Sequence, residues 1–196
     1  APVDVVTRLQ LERLDEYAAL YLPDASCLSS LEVEAIREYV RGGGTLIATH
    51  TASLADEWGF WQENFALADL FGVDFCGEVV EPYIAHQLVL RDPDALGLKP
   101  WENPSVSVNA PTAVVRMRPG AKELPAVKNA LVMEKPLCPG LVENRFGKGR
   151  SLYFSAPVFL RYATQKLPEI GKLAGRWLLG EELASVPVLA EGPECV

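Results

Sequence analysis

Apolar residues fall along this chain in two rhythms, and the change from one to the other sets the expected architecture. Residues 2–6 and 17–22 (YAALYL) are short continuous apolar runs, read as buried strands, with 7–14 a polar connection and Pro23 closing the second run. Leu31, Val33, Ile36 and Val40 then recur near helical spacing, with Glu32, Glu34, Arg37, Glu38 and Arg41 between them. Ser29 or Ser30 is placed to N-cap that helix, and Glu32 or Glu34 supplies a first-turn acid. Gly42-Gly43-Gly44 stops it, because glycine accepts a left-handed C-cap without a Cβ clash. Thr45–Thr49 (TLIAT) has no polar alternation and predicts a strand covered on both faces. His50-Thr-Ala-Ser53 follows at its carboxyl end, the edge of an open parallel sheet where ligands and catalytic groups collect.

Beyond the loop, residues 64–71 (NFALADLF) predict a short amphipathic helix closed by Gly72, and 73–76 open an excursion. Residues 78–119 are proline-bearing and alternating (YIAHQLVL, SVSVNAPTAVVRM), which predicts antiparallel strands beside the main sheet. Extended pieces at 126–133 and 140–145 lead to a tight turn at 146–149 and a buried strand at 151–155. Residues 167–179 form the last expected helix, with Ile170, Leu173, Ala174, Trp177 and Leu178 on one face. Strands alternating with helices predict a parallel sheet with helices on both faces. The division expected is one α/β domain over residues 1–182, with 183–196 a linker or the start of a following β-rich domain.

Composition narrows the function. With 49% hydrophobic and 22% charged residues and no low-complexity tract, the chain reads as a soluble globular domain. A net charge of −8 removes the general attraction to phosphate backbones, so nucleic acid is not an expected partner. No apolar run approaches the roughly 20 residues of a membrane span. Cys27, Cys76, Cys138 and Cys195 are scattered without a CxxC pair, which fits buried thiols in a reducing, cytoplasmic compartment and argues against a zinc site.

RGGGTLIAT followed by DEWG…FALADLFGV, and later NRFGKGRSLYFS, resembles class I glutamine-amidotransferase-like domains. The match is closer to the version known as the β-galactosidase trimerisation domain, found behind the catalytic barrel of bacterial glycoside hydrolases. It runs from about residue 4 to about residue 179. The resemblance implies a three-layer, flavodoxin-like, mostly parallel sheet with an antiparallel excursion. It also implies a chain that opens at the family's second strand, a sheet edge left open, and a homo-oligomer, dimer or trimer. The open edge and the aromatic loop place the expected interface near residues 3–6 or 58–61.

The site itself decides chemistry. Amidotransferases carry a cysteine on a sharp strand-to-helix elbow, usually Gly-x-Cys-x-Gly, with a His-x-Glu late in the chain. Here the elbow is Ala48-Thr-His-Thr-Ala52 and the late region is Ser155-Ala-Pro-Val-Phe, so that reaction is excluded. His50, Asp56 and Glu57 remain as acid–base candidates, and His50, Thr51, Glu57, Trp58 and Tyr83 as a ligand-binding set for a carbohydrate. His50 also resembles the histidine that ThuA-like proteins carry after a similar glycine-strand run, which implies a sugar-modifying enzyme. Against this, Asp56 fits a turn cap and His86 a bland place in an alternating strand. Trp58, Phe60, Trp61, Tyr83 and Trp101 either stack on sugars or bury against residues 64–71 or a neighbouring subunit. With only two histidines, no metal and no cofactor is expected. The function expected is a non-catalytic accessory and oligomerisation domain of a bacterial carbohydrate-active enzyme.

Overall fold

The computed structural model describes residues 4–82, 84–90, 105–129 and 135–159. A 3-10 helix (Arg8–Glu16) leads into β1 (Ala19–Leu22), α1 (Ser30–Gly42), β2 (Thr45–Thr49), α2 (Ala68–Phe71) and β3 (Val73–Val80). The chain continues through β4 (His86–Leu90), β5 (Ser105–Val108), β6 (Thr112–Met117), β7 (Lys122–Glu123) and β8 (Pro125–Asn129). It then forms β9 (Cys138–Pro139), β10 (Leu141–Phe146) and β11 (Gly149–Phe154).

The main sheet has the order β1-β2-β11-β10-β7. β1 runs parallel to β2 and β2 to β11, while β10 is antiparallel to both β11 and β7. Four strands therefore point one way and β10 opposes them, giving a mixed α/β fold on a mostly parallel sheet. Two antiparallel sheets, β3-β6 and β5-β4-β8-β9, stand beside it. The alternating stretch 78–119 thus supplies β4, β5 and β6 to the side sheets as expected, while β7 and β10, which follow it, join the main sheet.

Local signals explain the framework. Ser29 caps α1 in a reciprocal box with Glu32, its hydroxyl accepting from the Glu32 amide while the Glu32 carboxylate accepts from the Ser29 amide. Gly43 ends the helix at φ 127°, a backbone closed to side chains with a Cβ. Ile36, Tyr39 and Val40 are the buried stripe of α1. Both helices cover the face of β11 that carries Gly149, Ser151 and Tyr153. The Ser151 hydroxyl donates to the Leu70 carbonyl, and Tyr153 stacks on Phe71 at 5.0 Å. The Arg37 guanidinium ties α1 to α2 through Asp69 at 3.0 Å. The last expected helix, residues 167–179, lies outside the described residues, as do Trp101 and Cys195.

Several expectations are corrected. Residues 4–6 are not a strand. The polar connection is a 3-10 helix, because Thr7 and Gln10 form a capping box and Leu14 buries itself. β1 is not buried throughout: it is an edge strand of the described sheet, with Tyr21 39% exposed. The helix expected at 64–71 shrinks to its last four residues, since the Asn64 carboxamide accepts the amides of Phe65 and Phe75 (2.9 Å each) and holds the approach as a loop. Cys27 and Cys76 are exposed and only Cys138 is buried among the described cysteines. Among the described residues no helix is long and apolar enough to cross a membrane.

Candidate functional site

Parallel pairing sets Leu22 opposite Ala48, so the residues that leave β1 and β2 emerge side by side at the carboxyl edge of the sheet. Both strands turn there in the left-handed region: φ is 54° at Asp24 and 54° at His50, with Ser53 at 62°. Such backbones cost about 1–3 kcal/mol each and persist only where the surroundings hold them. Here the holding is explicit. The Asp24 amide donates to Thr49 Oγ1 at 2.9 Å, the His50 amide to the Phe154 carbonyl at 2.7 Å, and the Tyr153 hydroxyl to the His50 carbonyl at 2.6 Å. Ser53 is fully buried, its hydroxyl accepting from the Leu67 amide at 3.2 Å.

The Asp24 carboxylate gathers the loop after β2. Its Oδ1 accepts from the Thr51 amide (2.9 Å) and the Thr51 hydroxyl (2.6 Å), and faces His50 Nδ1 at 3.1 Å. Ser26 Oγ lies 2.7 Å from Thr51 Oγ1 and extends the network. Burial alone would raise the Asp24 pKa, but the hydrogen bonds from His50 and Thr51 outweigh it and hold the group below its ordinary value. An ionised Asp24 fixes the proton of His50 on Nδ1, which leaves the lone pair of a neutral ring on Nε2. That Nε2 is buried and has no hydrogen-bond partner among the described residues. The arrangement is an oriented carboxylate–imidazole pair, able to accept a proton or a hydrogen bond at one atom.

The other candidates do not join it. The Asp56 carboxylate is spent on its own loop: Oδ1 accepts from the amides of Trp58 and Phe60, both at 3.0 Å. Glu57 is exposed, and no described hydrogen bond or ion pair links Asp56 or Glu57 to His50. Trp58, Phe60 and Trp61 are 79%, 69% and 59% exposed rather than buried against α2. Thr51 does belong to the site, whereas Tyr83 lies outside the described residues. Asp24, Ser26 and Tyr153 were missed. The rule that flagged His50, a polar residue at a strand's carboxyl end, applies equally to Asp24 directly after Pro23. No group of three His, Cys, Asp or Glu side chains that could hold a metal ion occurs among the described residues.

His86 lies on β4, wholly buried, with Nδ1 2.7 Å from Thr112 Oγ1. Burial pulls its pKa below the ordinary value, against smaller raising effects of the Ala110 backbone and Glu81. Below the unfolded pKa of about 6.5 the unfolded chain therefore binds more protons than the folded one. Stability is expected to fall as pH drops from about 6.5 toward the lower folded value, by at most about 1.4 kcal/mol per pH unit for this one proton. Urea unfolding at pH 7.5 and 5.5 checks it; His86→Asn should lose less on acidification than the wild type, and equal losses would remove His86 as the cause.

No protein-family model matches this chain, and no curated protein matches it. Solved structures do. β-Galactosidase from Bacillus circulans sp. alkalophilus overlays with a TM-score of 0.63 at 20% identity, over 85% of this chain and 24% of that one. α-L-Fucosidase isoenzyme 2 from Paenibacillus thiaminolyticus gives 0.65 at 19% identity, over 88% and 26%. A cytoplasmic protein from Salmonella typhimurium gives 0.65 at 16% identity, over 89% and 75%. The chain thus spans about a quarter of the length of the two glycosidases. Its fold is that of a segment found within bacterial glycosidases, β-galactosidases among them.

Proposed function

We propose that this chain is a non-catalytic accessory and oligomerisation domain of a bacterial carbohydrate-active enzyme, of the β-galactosidase trimerisation kind, on a three-layer flavodoxin-like, amidotransferase-like scaffold. One observation carries the reading. The turn after β2 has the positive φ of a nucleophile elbow, yet it presents His50, whose Nδ1 faces the Asp24 carboxylate. An imidazole there cannot perform thiolate acyl transfer, and the carboxylates a glycosidase needs belong to a barrel domain of the parent enzyme. The fold shared with segments of a β-galactosidase and a fucosidase supports that setting.

Self-association follows from the surface. β1 is the end strand of the described sheet, and Val5, Leu9 and Leu31 are exposed apolar side chains on the 3-10 helix, its approach and α1. The charge of −8 opposes pairing only within a screening length of about 8 Å. Sedimentation equilibrium over a concentration series should show a dimer or trimer, and assays with glutamine and aryl glycosides should show no turnover. A clean monomer of 21.4 kDa at micromolar concentration, or glutaminase activity lost on mutating a cysteine, would overturn the reading. A second reading, a ThuA-like sugar-modifying enzyme or a sugar-binding module, is favoured by the His50 Nε2, which is buried and has no hydrogen-bond partner among the described residues.

A further inference from the structure

Exposure of the rings in the loop after β2 contrasts with the order of the backbone that carries them. Ala55 pairs with Trp61 in an antiparallel bridge, the Asp56 amide donates to the Phe60 carbonyl (3.1 Å), and the Gly59 amide donates to the Asp56 carbonyl (3.0 Å). Asp56 Oδ1 takes the amides of Trp58 and Phe60 from inside the turn. Gln62 closes the far side, its Nε2 donating to the Phe60 carbonyl at 2.8 Å and its amide to the Leu54 carbonyl at 2.8 Å. Every one of these bonds is internal, so the loop holds its shape without a partner. Yet it holds two indoles and a phenyl ring in water, Trp58 at 79% exposure. The only described ring contact of the three is Trp61 edge-on to Phe75 at 6.4 Å, and Trp61 remains 59% exposed.

We propose that the Trp58–Phe60–Trp61 loop is a binding platform for a neutral pyranose oligosaccharide, separate from the Asp24–His50 pair. The choice of sugar as probe rests on the carbohydrate-enzyme reading above; the carboxylates beside the rings select it over a protein. Glu57 and Glu63 flank the rings and are both exposed. Carboxylates are depleted from the cores of protein interfaces, and in a symmetric contact at this loop Glu57 and Glu63 would face their own copies at short range. A neutral pyranose offers what the loop lacks: a flat C–H face for each ring and hydroxyl donors for the carboxylates. Because the turn is already ordered, binding incurs little of the ordering cost that weakens flexible sites.

The test is a titration of the chain's tryptophan fluorescence with neutral gluco-, manno- and galacto-oligosaccharides, beside an acidic polygalacturonate. At least one neutral series should give a saturable blue shift, and the acidic one none. Trp58→Ala should weaken binding about tenfold and leave the melting temperature unchanged, since the ring is 79% exposed and has no ring contact among the described residues. Absence of a saturable response, or one unaltered in Trp58→Ala, overturns the platform. A Trp58→Ala chain that loses self-association while no sugar responds makes the loop a protein interface. That outcome leaves the accessory-domain reading standing, which fails instead on turnover or on a monomer.

Discussion

Gly149→Ala should cost at least about 4 kcal/mol of folding stability, a large share of the roughly 5–15 kcal/mol of a typical domain. A Cβ at this position would stand 2.1 Å from the Val40 carbonyl oxygen and 2.4 Å from that of Gly44. Both obstacles are backbone at the end of α1, so no side chain can swing aside. Relief requires lifting the β10–β11 hairpin off the helix. That breaks the bonds from the Lys148 amide to the Arg41 carbonyl (3.0 Å) and from the Arg150 amide to the Gly44 carbonyl (3.3 Å). It also disturbs the register that sets Arg150 opposite Thr45. Overpacking costs about 1–3 kcal/mol where side chains can adjust, and each lost hydrogen bond adds about 1. Gly42→Ala is the control: nothing lies within 4 Å of its added Cβ, in the last turn of α1. It should be neutral or stabilising by up to about 1 kcal/mol. Urea unfolding of both variants decides the matter, and a loss below about 1 kcal/mol for Gly149→Ala would mean that the two turns are not clamped as described.

The same contact shows what a sequence can and cannot convey. Gly42-Gly43-Gly44 and Gly147-Lys-Gly149 each announce a turn, because the reason for glycine is local. That the turns lie against each other depends on the parallel pairing of β2 with β11, a relation between strands about 100 residues apart. α1 was legible for the first reason: its cap, its stripe and its stop are all near neighbours in sequence. Residues 17–22 mislead for the second. A continuous apolar run says that a strand forms, not how many neighbours it has, and β1 has one in the described sheet. The site divides likewise. His50 stands out as a polar residue at the end of a buried strand, while Asp24 acquires its role only because β1 pairs beside β2 and brings its carboxylate to the His50 ring. Asp56 and Glu57 are sequence neighbours with separate surroundings, since one carboxylate is turned into its loop and the other left in solvent.

Asp24→Ala should destabilise the chain by about 2 kcal/mol at neutral pH. It removes the acceptor of the Thr51 amide, the Thr51 hydroxyl and His50 Nδ1, and it puts alanine at a φ of 54° that aspartate tolerates better. Part of the lost bonding is recovered from water, because the Asp24 side chain is 39% exposed. The pH dependence has a definite sign. Asp24 is held below its ordinary value in the folded chain, so its contribution is present above the unfolded pKa of about 3.9 and is lost as pH falls through the folded one. The gap between wild type and variant should therefore narrow in strong acid to the part due to the backbone at φ 54°; a constant gap would show that the carboxylate charge is not what stabilises. Asp24→Asn separates structure from ligand binding at His50. It keeps an oxygen for the Thr51 amide but removes the negative charge and replaces the Oδ2 that stands 3.2 Å from Nδ1 by an NH2 group, which shifts the ring tautomers toward a proton on Nε2. Nitrogen NMR of His50 reads that tautomer directly. If a sugar binds at His50, a monosaccharide that raises the melting temperature of the wild type should fail to raise that of a folded Asp24→Asn chain. If the pair only braces the turn between β2 and the loop beyond it, neither chain will shift with any sugar, and the loss will appear as stability alone.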